Sequence, residues 1–135
     1  MFADAPLVTG PPRVAFIIGH RGESRLPLLQ ATVASIAAQR DVAIECIVVE
    51  QSEKPQLAGR LPPWVRTIHT PIKSDALPYN RSWAFNVGAR AAAAPLLVLH
   101  DNDFLVPADY AREIVARARR PHRLKRGGTS QRITT

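Results

Sequence analysis

The chain has 135 residues, 46% of them apolar, which suits a single globular domain. Its net charge of +7 sits wholly in residues 112–135, where eight basic residues face one acid, while residues 1–111 are balanced. A charged end of this kind is a solvated tail and not the basic stripe of a nucleic-acid domain, so nucleic acid is disfavoured as a partner, and a membrane surface stays open as a contact for the tail.

Residues 1–12 form a leader with Gly10, Pro11 and Pro12. They lack the basic start and apolar core of a secretory signal, and no apolar run nears the ~20 residues of a bilayer span. The expectation is a soluble, cytoplasmic protein. Val14-Ala15-Phe16-Ile17-Ile18 is a continuous apolar run, the pattern of a strand buried on both faces. Ser24 is placed to cap a helix whose apolar positions Leu26, Leu29, Val33, Ile36 and Ala37 recur at helical spacing. Ile44 to Val49 is a second buried strand. It holds Cys46, the lone cysteine, which excludes an intrachain disulfide and reads as a small buried hydrophobe.

Beyond a connection with Pro55, Pro62 and Pro63, Val65 to His69 is a weaker third strand. Asn80 or Ser82 can start a helix that carries Ala84, Val87, Gly88 and Ala91 on one side, and Pro95 forbids its continuation. Leu96 to Leu99 is a fourth strand. A last helix, starting near Pro107, buries Ala111, Ile114, Val115 and Ala118. The pattern dissolves after Arg120. The domain thus covers residues 13–119, and residues 120–135 are expected to be a disordered basic tail.

Strands alternating with helices predict an α/β fold with a three-layer parallel sheet, in strand order 3-2-1-4. Ligands of such sheets sit beyond the carboxyl ends of the strands, where strand order reverses. Every polar residue of interest lies at such an exit. The fourth strand ends in His100-Asp101-Asn102-Asp103. Two carboxylates one residue apart suit a hard divalent cation that also binds substrate phosphate; the bland alternative is an acidic surface turn. His100 is a minor further metal candidate.

The predicted order sets Arg21, after strand one, across a crevice from Asp103, so a cation for phosphate faces the carboxylate pair. Its bland alternative is an exposed ion pair with Glu23. Glu50, at the exit of strand two, is placed to accept a hydrogen bond from a ribose hydroxyl or a base N–H, or is a solvated turn residue. Tyr79-Asn80-Arg81 offers a flat ring for a base and a guanidinium fork for phosphate; a core-edge tyrosine and a surface arginine explain them equally well. Gly19-His20-Arg21-Gly22 lacks the Gly-x-Gly-x-x-Gly spacing of a dinucleotide loop. Trp83 and Phe85 read as packing residues.

Taken in order, His20-Arg21, Val49-Glu50-Gln51, Tyr79-Asn80-Arg81 with Asn86-Val87-Gly88, and Asp101-Asn102-Asp103-Phe104-Leu105-Val106-Pro107 resemble the nucleotide-binding half of a GT-A fold glycosyltransferase. The general pattern is that of the family 2 inverting enzymes, and the details resemble the β-1,4-galactosyltransferase-like branch. The resemblance covers roughly residues 13–115 and rests on order and spacing. It implies transfer of a sugar from a UDP-sugar to an acceptor hydroxyl, of a saccharide or another molecule, with inversion. It also implies a donor-binding set of His20, Arg21, Glu50, Tyr79, Asn80, Arg81 and Asp101. Within that set Arg21 would meet the diphosphate, and Tyr79 and Arg81 the uridine part. Asp101 and Asp103 would hold Mn²⁺ or Mg²⁺.

The family places its catalytic base well after the acidic triplet, so the chain reads as a truncated, donor-binding half with no base assigned. Leu96 to Leu99 would then be an open apolar edge inviting a partner chain or self-association. Two other readings are a non-catalytic nucleotide- or metal-binding module, or an inactive truncated product, and an aspartate-nucleophile phosphatase. The phosphatase needs its Asp-x-Asp after the first strand of the sheet, not the fourth.

Overall fold

The computed structural model describes residues 2–118 and 131–134. Its elements run β1 (Val14–His20), a 3-10 turn (Glu23–Arg25), α1 (Leu26–Ala37), β2 (Ile44–Ser52), β3 (Arg66–Pro71), α2 (Arg81–Ala91), β4 (Leu96–His100), α3 (Tyr110–Ala118) and β5 (Gln131–Thr134). All strand pairs are parallel, in the order β3-β2-β1-β4-β5. The first four strands therefore take the predicted order, with β1 and β4 side by side and β2 on the other flank of β1.

The unbroken apolar runs follow from burial on both sheet faces. Phe16, Ile18, Cys46, Val48 and Val98 point to one face, where Leu29, Val33 and Ile36 of α1 and Ile114 and Val115 of α3 cover them. Ala15, Ile17, Ile47, Val49, Leu97 and Leu99 point to the other, against Ala84 and Phe85 of α2. Each fully buried aliphatic or aromatic side chain contributes roughly 1.5–3 kcal/mol relative to exposure. Burial also pushes the Cys46 thiol well up in pKa, so it behaves as a hydrophobe. On the α2 face Gly88 sits against the sheet, and a Cβ there would collide with the Ile17 side chain. Close packing of helix on strand thus outweighs the helix penalty of glycine.

Three helix starts test the sequence reading. Asn80 caps α2 as expected, its Oδ1 accepting Trp83 N–H at 2.9 Å. Ser24 does not cap α1. Pro27 has no N–H to give to the Glu23 carbonyl, so Leu26 N–H takes that carbonyl and the entry closes as a 3-10 turn. Gly22, at φ 99°, turns the chain out of β1. Helix α3 starts at Tyr110, three residues after Pro107, whose carbonyl accepts Tyr110 N–H at 3.1 Å in a preceding turn. β2 runs through Ser52 and β3 is shifted to Arg66–Pro71, both longer at their carboxyl ends than the apolar pattern indicates.

The chain ends depart from expectation. The leader is laid along α1, with Ala3 N–H on the Ala34 carbonyl and Leu7 N–H on that of Ala37. Residues 120–130 and 135 of the expected tail, and residue 119 before it, lie outside the described residues. Residues 131–134, expected to be disordered, form β5 and pair with Leu96 to Leu99. Four more backbone partners satisfy the strand edge that the sequence left open, so β4 is not the border of the sheet.

Candidate functional site

At the carboxyl ends of β1 and β4 lies a cleft of about 470 Å³, a size that suits a small-molecule ligand. Gly19, Arg21 and Arg25 line it from the β1 side, and Tyr79, Arg81 and Phe85 from the start of α2. His100, Asp101, Asn102 and Asp103 close it from the end of β4. Arg21 and the acidic pair thus share one crevice, at the point where strand order reverses.

Both carboxylates are already paired. Asp101 Oδ1 takes Arg81 at 2.9 Å, and Asp103 Oδ2 takes Arg25 at 3.1 Å. The partners are about half exposed, so each pair contributes about 0–1 kcal/mol to stability. Their consequence is electrostatic. Three arginines against two aspartates leave the cleft one positive charge in excess, and the second oxygen of each carboxylate accepts no hydrogen bond among the described residues.

Arg21 is held differently. Its Nε donates to the Gln51 carbonyl at 2.8 Å, one terminal nitrogen donates to Gln51 Oε1 at 2.9 Å, and the other to the Leu77 carbonyl. Its guanidinium carbon stands 5.7 Å from the Tyr79 ring centre. The bland pairing with Glu23 does not form; Glu23 takes Arg60 instead. Among the described residues Arg21 makes no ion pair, so its charge is open to an anion. Arg81 lies 4.4 Å above the Phe85 ring, which gives Phe85 a part in aiming a cleft charge beyond its packing. The Tyr79 hydroxyl is tucked against Gly19, where any side chain would collide with it. Burial raises the Tyr79 pKa, with Arg81 and Arg21 opposing the rise.

His20 and Glu50 do not reach the cleft lining. His20 is buried, and its Nδ1 accepts the Asn102 side-chain N–H at 3.1 Å. Asn102 Oδ1 in turn accepts two N–H groups of Arg25, each at 3.3 Å. Burial lowers the His20 pKa, the Glu50 charge opposing and Arg25 assisting, so the neutral ring is the form that fits.

Glu50, expected to meet a nucleoside, is only 3% exposed. Its carboxylate accepts the N–H groups of Gln56 and Leu57 and the Ser52 hydroxyl, at 2.9–3.3 Å. It closes the loop after β2 and has no free face toward a ligand.

Asn102 was only a spacer between two acids in the sequence pattern, and nothing in the sequence singled out Arg25. In the structure Asn102 joins β1, the first loop and β4. Helix α1 and the residues just after it supply the remaining support for this segment, through Thr32 and Ser35 on an otherwise apolar face and Gln39 two residues beyond the helix end. Thr32 Oγ1 donates to the Asn102 carbonyl at 3.0 Å, Ser35 Oγ accepts Val106 N–H at 3.1 Å, and Gln39 Nε2 donates to the Pro107 carbonyl at 2.7 Å. Gln39 Oε1 also accepts Ala111 N–H at 2.7 Å, satisfying one of the orphan donors at the start of α3. Two buried polar residues in an apolar helix, with a third just past its end, were the signal that this part of the chain holds something polar.

His100 is buried, its Nε2 against the Phe104 carbonyl at 2.7 Å and its ring stacked on that of Phe104 at 5.2 Å. It belongs to an aromatic cluster with Phe16 and Tyr110. Among the described residues no group of three His, Cys, Asp or Glu side chains could hold a metal ion unaided. No described helix is long and apolar enough to cross a membrane.

The family described as Glycosyl transferase family 2 matches residues 16–124, most of the chain and every element that lines the cleft. The chain belongs to the glycosyl transferase family 2. A comparison with curated proteins gives no match. The parallel sheet of a GT-A type domain, expected from the order of motifs, is thereby the fold of a glycosyltransferase family 2 domain, with the cleft at the switch point of its sheet.

Proposed function

We propose that the cleft binds the diphosphate of a UDP-sugar together with Mn²⁺ or Mg²⁺, and that the domain serves transfer of the sugar to an acceptor hydroxyl with inversion. The observation that carries the proposal is the convergence of Arg21, Arg25 and Arg81 with Asp101 and Asp103 at the exits of β1 and β4. An excess of one positive charge plus a divalent cation gives about +3, against about −2 on the diphosphate of a UDP-sugar and about −3 on the departing UDP near neutral pH, so the cleft favours the charge that develops as the bond breaks.

The residues fit such a cation. Two adjacent carboxylates, each with an unengaged oxygen, offer hard donors, and Mg²⁺-type ions complete their shell with phosphate and water oxygens. When bound, the ion supplies Lewis acidity at the departing phosphate. The chain's own residues do the rest. Arg25 and Arg81 neutralise the carboxylates while the cleft lacks a cation, and once released they present guanidinium forks to phosphate oxygens. Arg21 meets the diphosphate directly, and Tyr79, with Asn80 fixing its position, offers its ring face to uracil. The acceptor oxygen attacks the anomeric carbon as the bond to the diphosphate breaks. Its proton passes to a carboxylate base that we do not assign, since Asp101 and Asp103 are the only carboxylates lining the cleft among the described residues.

That last fact favours a second reading, in which this domain binds the nucleotide without turning it over. Calorimetry with UDP, with and without Mn²⁺, tests the binding reading: micromolar, metal-enhanced affinity is expected, and no heat under either condition would end it. Release of UDP from UDP-sugars, with a saccharide or with water as acceptor, separates transfer from binding alone.

A further inference from the structure

We propose that Gln51, which does not line the cleft, is the positioning residue that aims both Arg21 and the Tyr79–Arg81 segment into it; this rests on the UDP-binding reading above. Gln51 is the penultimate residue of β2, one position beyond the last β1–β2 pair, and is 3% exposed. Its side-chain amide grips Asn80 as a neighbouring strand would. Oε1 accepts Asn80 N–H at 2.8 Å, and Nε2 donates to the Asn80 carbonyl at 3.2 Å. The same Oε1 accepts Arg21 at 2.9 Å, while the Gln51 carbonyl holds Arg21 Nε at 2.8 Å.

One side chain therefore ties the loop after β1 to the residue that caps α2, and the residues on either side of that cap, Tyr79 and Arg81, both line the cleft. Only a primary amide can do this, because the site needs an acceptor for two donors and a donor for a carbonyl. Glutamate keeps the grip on Arg21, with added charge, but has no N–H for the Asn80 carbonyl. Methionine has the length and neither function. A shift of about 1 Å in a positioned charge is enough to change ligand interaction severalfold or more.

The test compares the wild-type chain with Gln51→Met and Gln51→Glu in three measurements: UDP affinity in Mn²⁺, thermal midpoint, and hydrogen exchange of the Asn80 amide without ligand. Gln51→Met is expected to bind UDP roughly tenfold more weakly, the loss of one charge-assisted hydrogen bond. Its Asn80 amide exchanges faster, whereas Gln51→Glu, which keeps an acceptor for both Arg21 and the Asn80 N–H, recovers part of the affinity and part of the amide protection. A loss confined to the thermal midpoint, with wild-type UDP affinity in Gln51→Met, overturns the inference. If Gln51→Met does not fold, Gln51→Asn decides, its amide one methylene short of both partners: wild-type UDP affinity overturns the inference, and faster Asn80 exchange with weaker UDP binding supports it. A wild-type chain that ignores UDP removes the binding reading, whereas the exchange of Asn80 still reports whether Gln51 holds the segment.

Discussion

Replacing Asp103 with alanine should change nucleotide affinity in opposite directions depending on the metal. Asp103 is paired with Arg25 at 3.1 Å, both about half exposed, so its loss costs at most about 1 kcal/mol in stability. The variant folds. Without a divalent ion, removing this negative charge raises the cleft from one to two positive charges in excess and frees Arg25. A unit charge ~5–8 Å from a phosphate in water-like surroundings is worth roughly 0.5–0.8 kcal/mol, so metal-free UDP binding should tighten about two- to fourfold. With Mn²⁺ the sign reverses. One of two protein ligands is gone, and a loss of about tenfold or more in metal-supported affinity follows, as even indirect damage to metal ligation has effects of that order. Calorimetry of UDP against both proteins, in Mn²⁺ and in EDTA at fixed ionic strength, supplies the four numbers. Equal affinities throughout, or changes of the same sign in both buffers, would refute the assignment of this carboxylate to a cation beside the phosphates.

Three further outcomes are expected. Glu50→Gln replaces a buried acceptor of two backbone N–H groups and should lower stability by roughly 1–3 kcal/mol, with UDP affinity in the folded protein within twofold of wild type; a selective loss of UDP binding would return Glu50 to the nucleoside. His20 and His100 both have pKa values pushed below 6.5 by burial. The unfolded chain therefore takes up protons first, and metal-free stability present above pH ~6.5 is lost as pH falls through the folded values. Thermal midpoints from pH 8 to 5 should show this, with a shallower dependence in His100→Gln. Gly88→Ala gains helix propensity but drives a methyl into Ile17, and such overpacking costs about 1–3 kcal/mol, read as a drop in denaturation midpoint; a stabilised variant would mean that α2 can lift away from the sheet.

The sheet was legible because β1, β2 and β4 are buried on both faces and so carry unbroken apolar runs, and because the helices between them keep their own period. What was missed depends on contacts between residues far apart in the chain. Pro27 was visible, but its effect on the helix start lies in a carbonyl it cannot serve. Glu50 sat at the right strand exit, yet the chain doubles back so that two N–H groups of the next loop reach it before any ligand can. Arg25 and Asn102 carry no motif of their own. Their role appears only when β4 lies beside β1 and the first loop meets the acidic turn. Asp101, Asp103, Arg21, Tyr79 and Arg81 line one cleft, a juxtaposition legible in advance because the exits of a doubly wound sheet are few.

Thr32, Ser35 and Gln39 bond to residues 68 to 72 positions further along the chain. Ordering a chain segment of that length before any of these bonds can form carries a large entropic cost. Loop closure of this length is therefore expected to be helped by the docking of the first helix and the pairing of the fourth strand with the first. During synthesis Thr32, Ser35 and Gln39 emerge some seventy residues before the groups they bond, so early-made side chains wait for a late-made turn.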